Sequence, residues 1–153
     1  MKGQFRFLTA EDTRLLYRKA QLARLSSGQL LIREGAVPAG IFVLQHGSVD
    51  ICRCHGGQDI IVSTLRAGAL VGENALLKAG PATASVRARE ATDCLVFTEG
   101  RLLPLFASNP WLAGRFYQSI AYIISQRLRR LNLEAGGDPF TRRFGRIPDW
   151  ELI

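Results

Sequence analysis

The spacing of apolar and polar positions along this chain changes period twice. Near the start, Thr9 with Asp12 three residues later makes a capping-box-like opening, and Leu8, Leu15, Leu16, Ala20 and Ala23 fall at helical spacing. A helix from Thr9 to about Ala20 is predicted. From Gly28 the period drops to two. Runs rich in Val, Ile, Leu and Thr predict strands over 29–33, 41–45, 49–55, 59–66, 69–71, 83–89 and 92–98, separated by turn signals at Glu34-Gly35, Pro38-Ala39-Gly40, His46-Gly47 and Gly56-Gly57. Short strands at this spacing predict a sandwich or a jelly-roll β-barrel, and the hazard of open sheet edges favours the closed form. From Glu99 the period returns to about 3.6. A helix over 99–108 ends before Asn109-Pro110, and Asn109 is a good cap for a long helix over 110–133. The fold class is therefore mainly β with flanking helices, closed by a long C-terminal helix.

Leu112, Phe116, Ile120, Ile123, Ile124, Leu128 and Leu131 give the long helix a broad apolar stripe. Two readings follow: the stripe covers its own barrel, or it pairs in parallel with a second copy through Ile120, Ile124, Leu128 and Leu131. The arginines at 127, 129 and 130 suit a solvated helix end beside the negative pole of the dipole. Beyond residue 133, Gly136-Gly137-Asp138-Pro139 breaks the helix. The sequence thus divides into a domain over 1–133 and a tail over 134–153. Phe140, Phe144, Ile147, Trp150, Leu152 and Ile153 make that tail apolar, so it either folds back onto the domain or docks on another chain.

A length of 153 residues, 47% hydrophobic and 22% charged, fits one globular domain with a proper core. No apolar run is long enough to be a transmembrane segment and the opening lacks a signal-peptide core, so a cytoplasmic protein is expected. Cys52, Cys54 and Cys94 have no metal-like spacing and read as reduced structural thiols. His46 and His55 are the sole histidines, with no His-x-His pair, no Gly-x-Ser-x-Gly elbow and no Walker loop. Neither a catalytic site, a metal site nor a required cofactor is expected. The net charge of +7 is spread along the chain without a dense basic stripe.

Small residues gather from Gly68 to Ala88, in GALVGENALLKAGPATASVRA, beside one acidic side chain, Glu73. Gly72 permits a tight turn, and Ala75, Leu76 and Leu77 can form one helical turn whose free amides point toward an anion. After Pro81 the chain reads as a strand, with Thr83, Ser85 and Arg87 on one face and Ala82, Ala84, Val86 and Ala88 on the other. Residue types alone leave two readings, an anion pocket or a tight turn with a solvated glutamate.

GENALL followed by PATASVRA resembles the phosphate-binding cassette of cyclic-nucleotide-binding domains, usually GE-x-ALL and then P-R-A-[AS]-[TS]-V-x-A, and the resemblance covers roughly residues 5–133. It implies a jelly roll in which Glu73 accepts hydrogen bonds from a ribose 2′-hydroxyl while backbone amides around Asn74 and Ala75 hold the cyclic phosphate. The implied ligand-binding set is Val71, Gly72, Glu73, Asn74, Ala75, Ala82, Thr83 and Ser85. The cassette's phosphate arginine falls at position 82, which here is Ala82. Its loss removes charge-assisted bonds worth about 1.5–3 kcal/mol each, a factor of roughly ten to over a hundred in affinity. Lys78 and Arg87 are candidate substitutes, although strand alternation sets Arg87 on the face opposite position 82.

The expectation is a non-catalytic regulatory module that senses a purine nucleotide or nucleoside, with altered or weakened affinity for cyclic AMP or cyclic GMP. The alternative is a ligand-free structural or protein-interaction domain that kept the fold. In similar domains the last helix packs over the ligand or pairs with its mate, which implies a homodimer through the helix over 110–133. Catabolite-activator-type factors carry a helix-turn-helix module after that helix, and about twenty residues remain here, so a DNA-reading role is not expected.

Overall fold

The computed structural model describes residues 4–134. Helix α1 (Ala10–Tyr17) opens on a complete capping box. Thr9 Oγ1 accepts from the Asp12 amide at 3.1 Å, and Asp12 Oδ2 accepts from the Thr9 amide at 2.9 Å. Eight strands follow: β1 (Gln21–Leu25), β2 (Leu30–Ile32), β3 (Ile41–His46), β4 (Ser48–His55), β5 (Gln58–Arg66), β6 (Leu70–Val71), β7 (Ser85–Ala88) and β8 (Thr92–Phe97). The short α2 (Asn74–Leu77) lies between β6 and β7, and α3 (Glu99–Ser108) and α4 (Pro110–Glu134) complete the described chain.

The strands pair antiparallel as two four-stranded sheets, in the orders β1-β8-β3-β6 and β2-β7-β4-β5. One apolar core draws on both. Leu25, Phe42, Leu44, Val71 and Cys94 come from the first sheet, and Ile32, Val49, Val86 and Ala88 from the second. Period-two alternation explains the sorting, because residues two apart on a strand share a face and that face is buried. A second cluster is aromatic. Phe5 stacks on Phe116 at 5.0 Å and meets the edge of Phe97 at 6.2 Å, Tyr17 meets Phe97 at 6.0 Å, and Phe106 lies 5.0 Å from Phe116.

Four expectations need correction. The first helix stops at Tyr17, and Ala23 belongs to β1, which pairs with β8 from Gln21↔Val96 to Leu25↔Thr92. Gln, Leu, Ala and Arg favour helix locally, so tertiary pairing overrides propensity there. The strand predicted from Thr83 starts at Ser85, leaving Thr83 in a bend. Asn109 serves the helix before it, since Nδ2 donates to the Leu105 carbonyl at 3.0 Å, while its own carbonyl accepts from the Ala113 amide at 3.1 Å. On α4 the predicted stripe divides: Ile120 is 1% exposed, whereas Ile124, Leu128 and Leu131 are 38%, 57% and 62% exposed. Of the tail over 134–153, residues 135–153 lie outside the described part.

Candidate functional site

The stretch singled out in the sequence forms a turn, a one-turn helix and a return. β6 ends at Val71, which is buried in the shared core. Gly72 then takes φ +85°, and a Cβ there would collide with the Gly40 carbonyl oxygen and approach Phe42 Cδ2 at 3.1 Å. Both the dihedral and the space require glycine. Glu73 caps α2 with its backbone, and Lys78 ends that helix in the left-handed region at φ 51°. The amides of Ala75, Leu76 and Leu77 are not free, contrary to the sequence expectation. Ala75 donates to the Gly72 carbonyl at 3.1 Å, and Leu76 and Leu77 donate to the Glu73 carbonyl at 3.1 and 3.0 Å. A turn this short closes its own hydrogen bonds, so its internal amides are spent within it.

The return begins at Ala82, held by two backbone bonds, its amide to the Ala36 carbonyl and the Gly35 amide to its carbonyl, both 2.8 Å. Its methyl packs against the shared core. Val86 and Ala88 point the same way, whereas Ser85 and Arg87 stand on the other face of β7. There the Ser85 hydroxyl accepts from the Glu34 amide at 2.9 Å, and Arg87 donates to the Gly28 carbonyl at 3.0 Å and to Asp59 at 3.3 Å. A groove of about 410 Å³ opens on that face, lined by Arg33, Glu34, Cys54, Asp59, Ser85 and Arg87. Ser85 is therefore parted from the rest of the predicted set. Lys78 is also committed, pairing with Glu99 of α3 at 2.9 Å. Arg53 of β4 donates from Nε to the carbonyl of Thr83 at 3.3 Å, a contact that sequence spacing did not announce.

Burial pushes the Cys94 thiol up to about 11, with the Asp93 carboxylate adding to the shift, so it stays protonated. Among the described residues no cluster of three or more His, Cys, Asp or Glu could hold a metal ion, and no helix is long and apolar enough to cross a membrane.

Residues 22–109 match the family model described as the cyclic nucleotide-binding domain. This chain belongs to the cyclic nucleotide-binding domain family. It is 30% identical over 137 residues to the cyclic AMP receptor protein of Thermus thermophilus, covering 88% of this chain and 62% of that relative. Among solved structures, the catabolite activator protein of Thermus thermophilus superposes with TM-score 0.72 at 28% identity, over 88% of this chain and 62% of that one. The N-terminal domain of a transcriptional regulator from Streptomyces coelicolor gives 0.70 at 26%, over 85% and 91%. A cyclic nucleotide-binding domain from Methylobacillus flagellatus gives 0.77 at 22% identity, over 83% of this chain and 72% of that one, a likeness of fold. The chain thus spans about 62% of the length of the curated relative it matches. Position 82 carries no charge, and the two cations named from the sequence as its substitutes are paired with carboxylates, Lys78 with Glu99 and Arg87 with Asp59.

Proposed function

We propose that this domain is a non-catalytic regulatory module whose cassette receives a purine nucleotide or nucleoside, with the ribose on Glu73 and with Val71, Gly72, Asn74, Ala75, Ala82 and Thr83 around it. The observation that carries the reading is Gly72. Its backbone takes a positive φ that residues with a side chain rarely adopt, an added Cβ would strike the Gly40 carbonyl oxygen, and the next residue is Glu73, the one carboxylate of the stretch. Cyclic AMP and cyclic GMP are the ligands of choice, bound more weakly than by a cassette with arginine at position 82. Ligand at the cassette would bias α3 through the Lys78–Glu99 pair, and through α3 the first turns of α4.

Titration calorimetry and thermal-shift titration with cyclic AMP, cyclic GMP and adenosine test this reading. Binding that disappears in Glu73→Ala is expected. No response at millimolar ligand would leave the alternative, a ligand-free interaction domain.

We infer, in addition, a homodimer through α4. Ala121, Ile124, Leu128 and Leu131 are exposed at spacings of three, four and three residues, the seam of a two-stranded coiled coil. In a parallel pair the flanking positions set Arg127 opposite Asn132 of the mate, so no like charges face each other. The seam differs from the sequence expectation in excluding the buried Ile120.

A further inference from the structure

Position 82 lacks a cation, Lys78 is paired with Glu99, and Arg87 is held on the far face of β7. A third guanidinium nevertheless reaches the same segment. On β4, Val49 belongs to the shared core and Ile51 packs against it, while Asp50, Cys52 and Cys54 take the other face. Arg53 follows Ile51 by two and so falls on the core-facing side, near the strand's end where burial gives out. β4 runs antiparallel to β7, with Ile51 opposite Val86 and Cys52 opposite Ser85. Continued by one step, that register sets Arg53 beside the residues just before β7. Arg53 Nε donates to the Thr83 carbonyl at 3.3 Å, one residue beyond Ala82. Among the described residues its two terminal nitrogens meet no acceptor.

Ala82 packs its methyl toward the same core-facing side. Arg53 and a side chain at position 82 therefore approach the same stretch of chain, from neighbouring segments and on the core-facing side of the sheet. A guanidinium fixed through Nε still presents the forked pair of terminal nitrogens that grips a phosphate through two parallel bonds. We propose that Arg53 replaces the absent cassette arginine as the anion-binding cation, and that the site takes a phosphate-bearing nucleotide in preference to a neutral nucleoside. This inference rests on the cassette being the ligand site.

The test is calorimetry with cyclic AMP and with adenosine on four proteins: wild type, Arg53→Gln, Glu73→Ala and Arg53→Gln combined with Ala82→Arg. Arg53 is exposed, and an unchanged melting temperature of the ligand-free Arg53→Gln protein is the fold control. The wild type should prefer cyclic AMP to adenosine. Arg53→Gln should weaken cyclic AMP by about ten- to a hundredfold while leaving adenosine within a factor of about two, and Ala82→Arg should restore cyclic AMP binding. Unchanged cyclic AMP affinity in Arg53→Gln, with Glu73→Ala abolishing binding, overturns the role of Arg53 and leaves the cassette reading standing. Equal loss of both ligands in Arg53→Gln, or equal wild-type affinity for both, also overturns it. A wild type that binds neither ligand overturns both readings together.

Discussion

Gly72 and Asp12 show how single residues fix this structure by different means. At Gly72 the requirement is steric: φ is +85°, and an added Cβ would meet the Gly40 carbonyl. Gly72→Ala should cost about 1–3 kcal/mol in chemical denaturation and remove any nucleotide-dependent thermal shift. At Asp12 the requirement is electrostatic. Its carboxylate takes two bonds from Arg115 of α4, at 2.6 and 2.9 Å, besides closing the capping box on Thr9. The Arg115 bond is the main cause that holds Asp12 at about 2, against 3.8 for a free carboxyl; burial opposes it and the bonds from Thr9 assist. A depressed folded-state pKa stabilises the fold above the unfolded value, and that contribution is lost as pH falls through the folded one. Asp12→Asn should therefore lower stability by about 2 kcal/mol at neutral pH, and the gap from wild type should close between roughly pH 4 and pH 2 in urea titrations. A gap that stays constant over that range would refute the assignment. The Gly72-Glu73 dipeptide was legible because its neighbours spell a family string, whereas Asp12 and Arg115 stand 103 residues apart and nothing local pairs them.

Among the elements, those with strong periodicity and a terminal signal were legible. α3 begins and ends where predicted, and α4 starts at Pro110, whose missing amide is an orphan at a first helical position. β1 was not, because QLARL contains no β-branched residue and Ala20, Ala23 continue the spacing of α1. Only its ladder with β8 makes it a strand. The apolar stripe of α4 was legible as a stripe but not in its division, since periodicity cannot tell a position buried within the chain from one left for a partner. Ile120 is buried, whereas Ile124, Leu128 and Leu131 are exposed. If α4 is the seam of a homodimer, Leu128→Arg should convert dimer to monomer in sedimentation velocity, because a charge at a seam position is desolvated in the pair and solvated when alone. Leu128 is 57% exposed, so the melting temperature of the monomer should move little. A wild-type protein that already sediments as a monomer would remove the seam from consideration.

At the scale of the whole molecule, the two-sheet core and the aromatic cluster raise the question of whether they melt as one. The sheet orders were beyond sequence reasoning, because pairing β1 with β8 or β2 with β7 depends on contacts between opposite ends of the roll rather than on any local pattern. Yet one of those strands joins the two cores. β8 contributes Cys94 to the core of the sheets and Phe97, fully buried, to the aromatic cluster. Phe116 occupies the centre of that cluster, fully buried between Phe5 and Phe106 at 5.0 Å each. Truncating a buried Phe to Ala typically costs about 3–5 kcal/mol, a large part of the roughly 5–15 kcal/mol that a domain possesses. If β8 couples the cores rigidly, Phe116→Ala should shift the urea midpoint down sharply while leaving one transition of unchanged slope, since the surface exposed on unfolding is the same. Two resolved steps would mean that the aromatic cluster opens before the sheets. Because the cassette lies on the sheet side, with Val71 and Ala82 against the shared core, a Phe116→Ala protein held below its midpoint should keep its nucleotide affinity within a few-fold if it binds at all. Affinity lost in step with stability would instead place the ligand's grip across both cores.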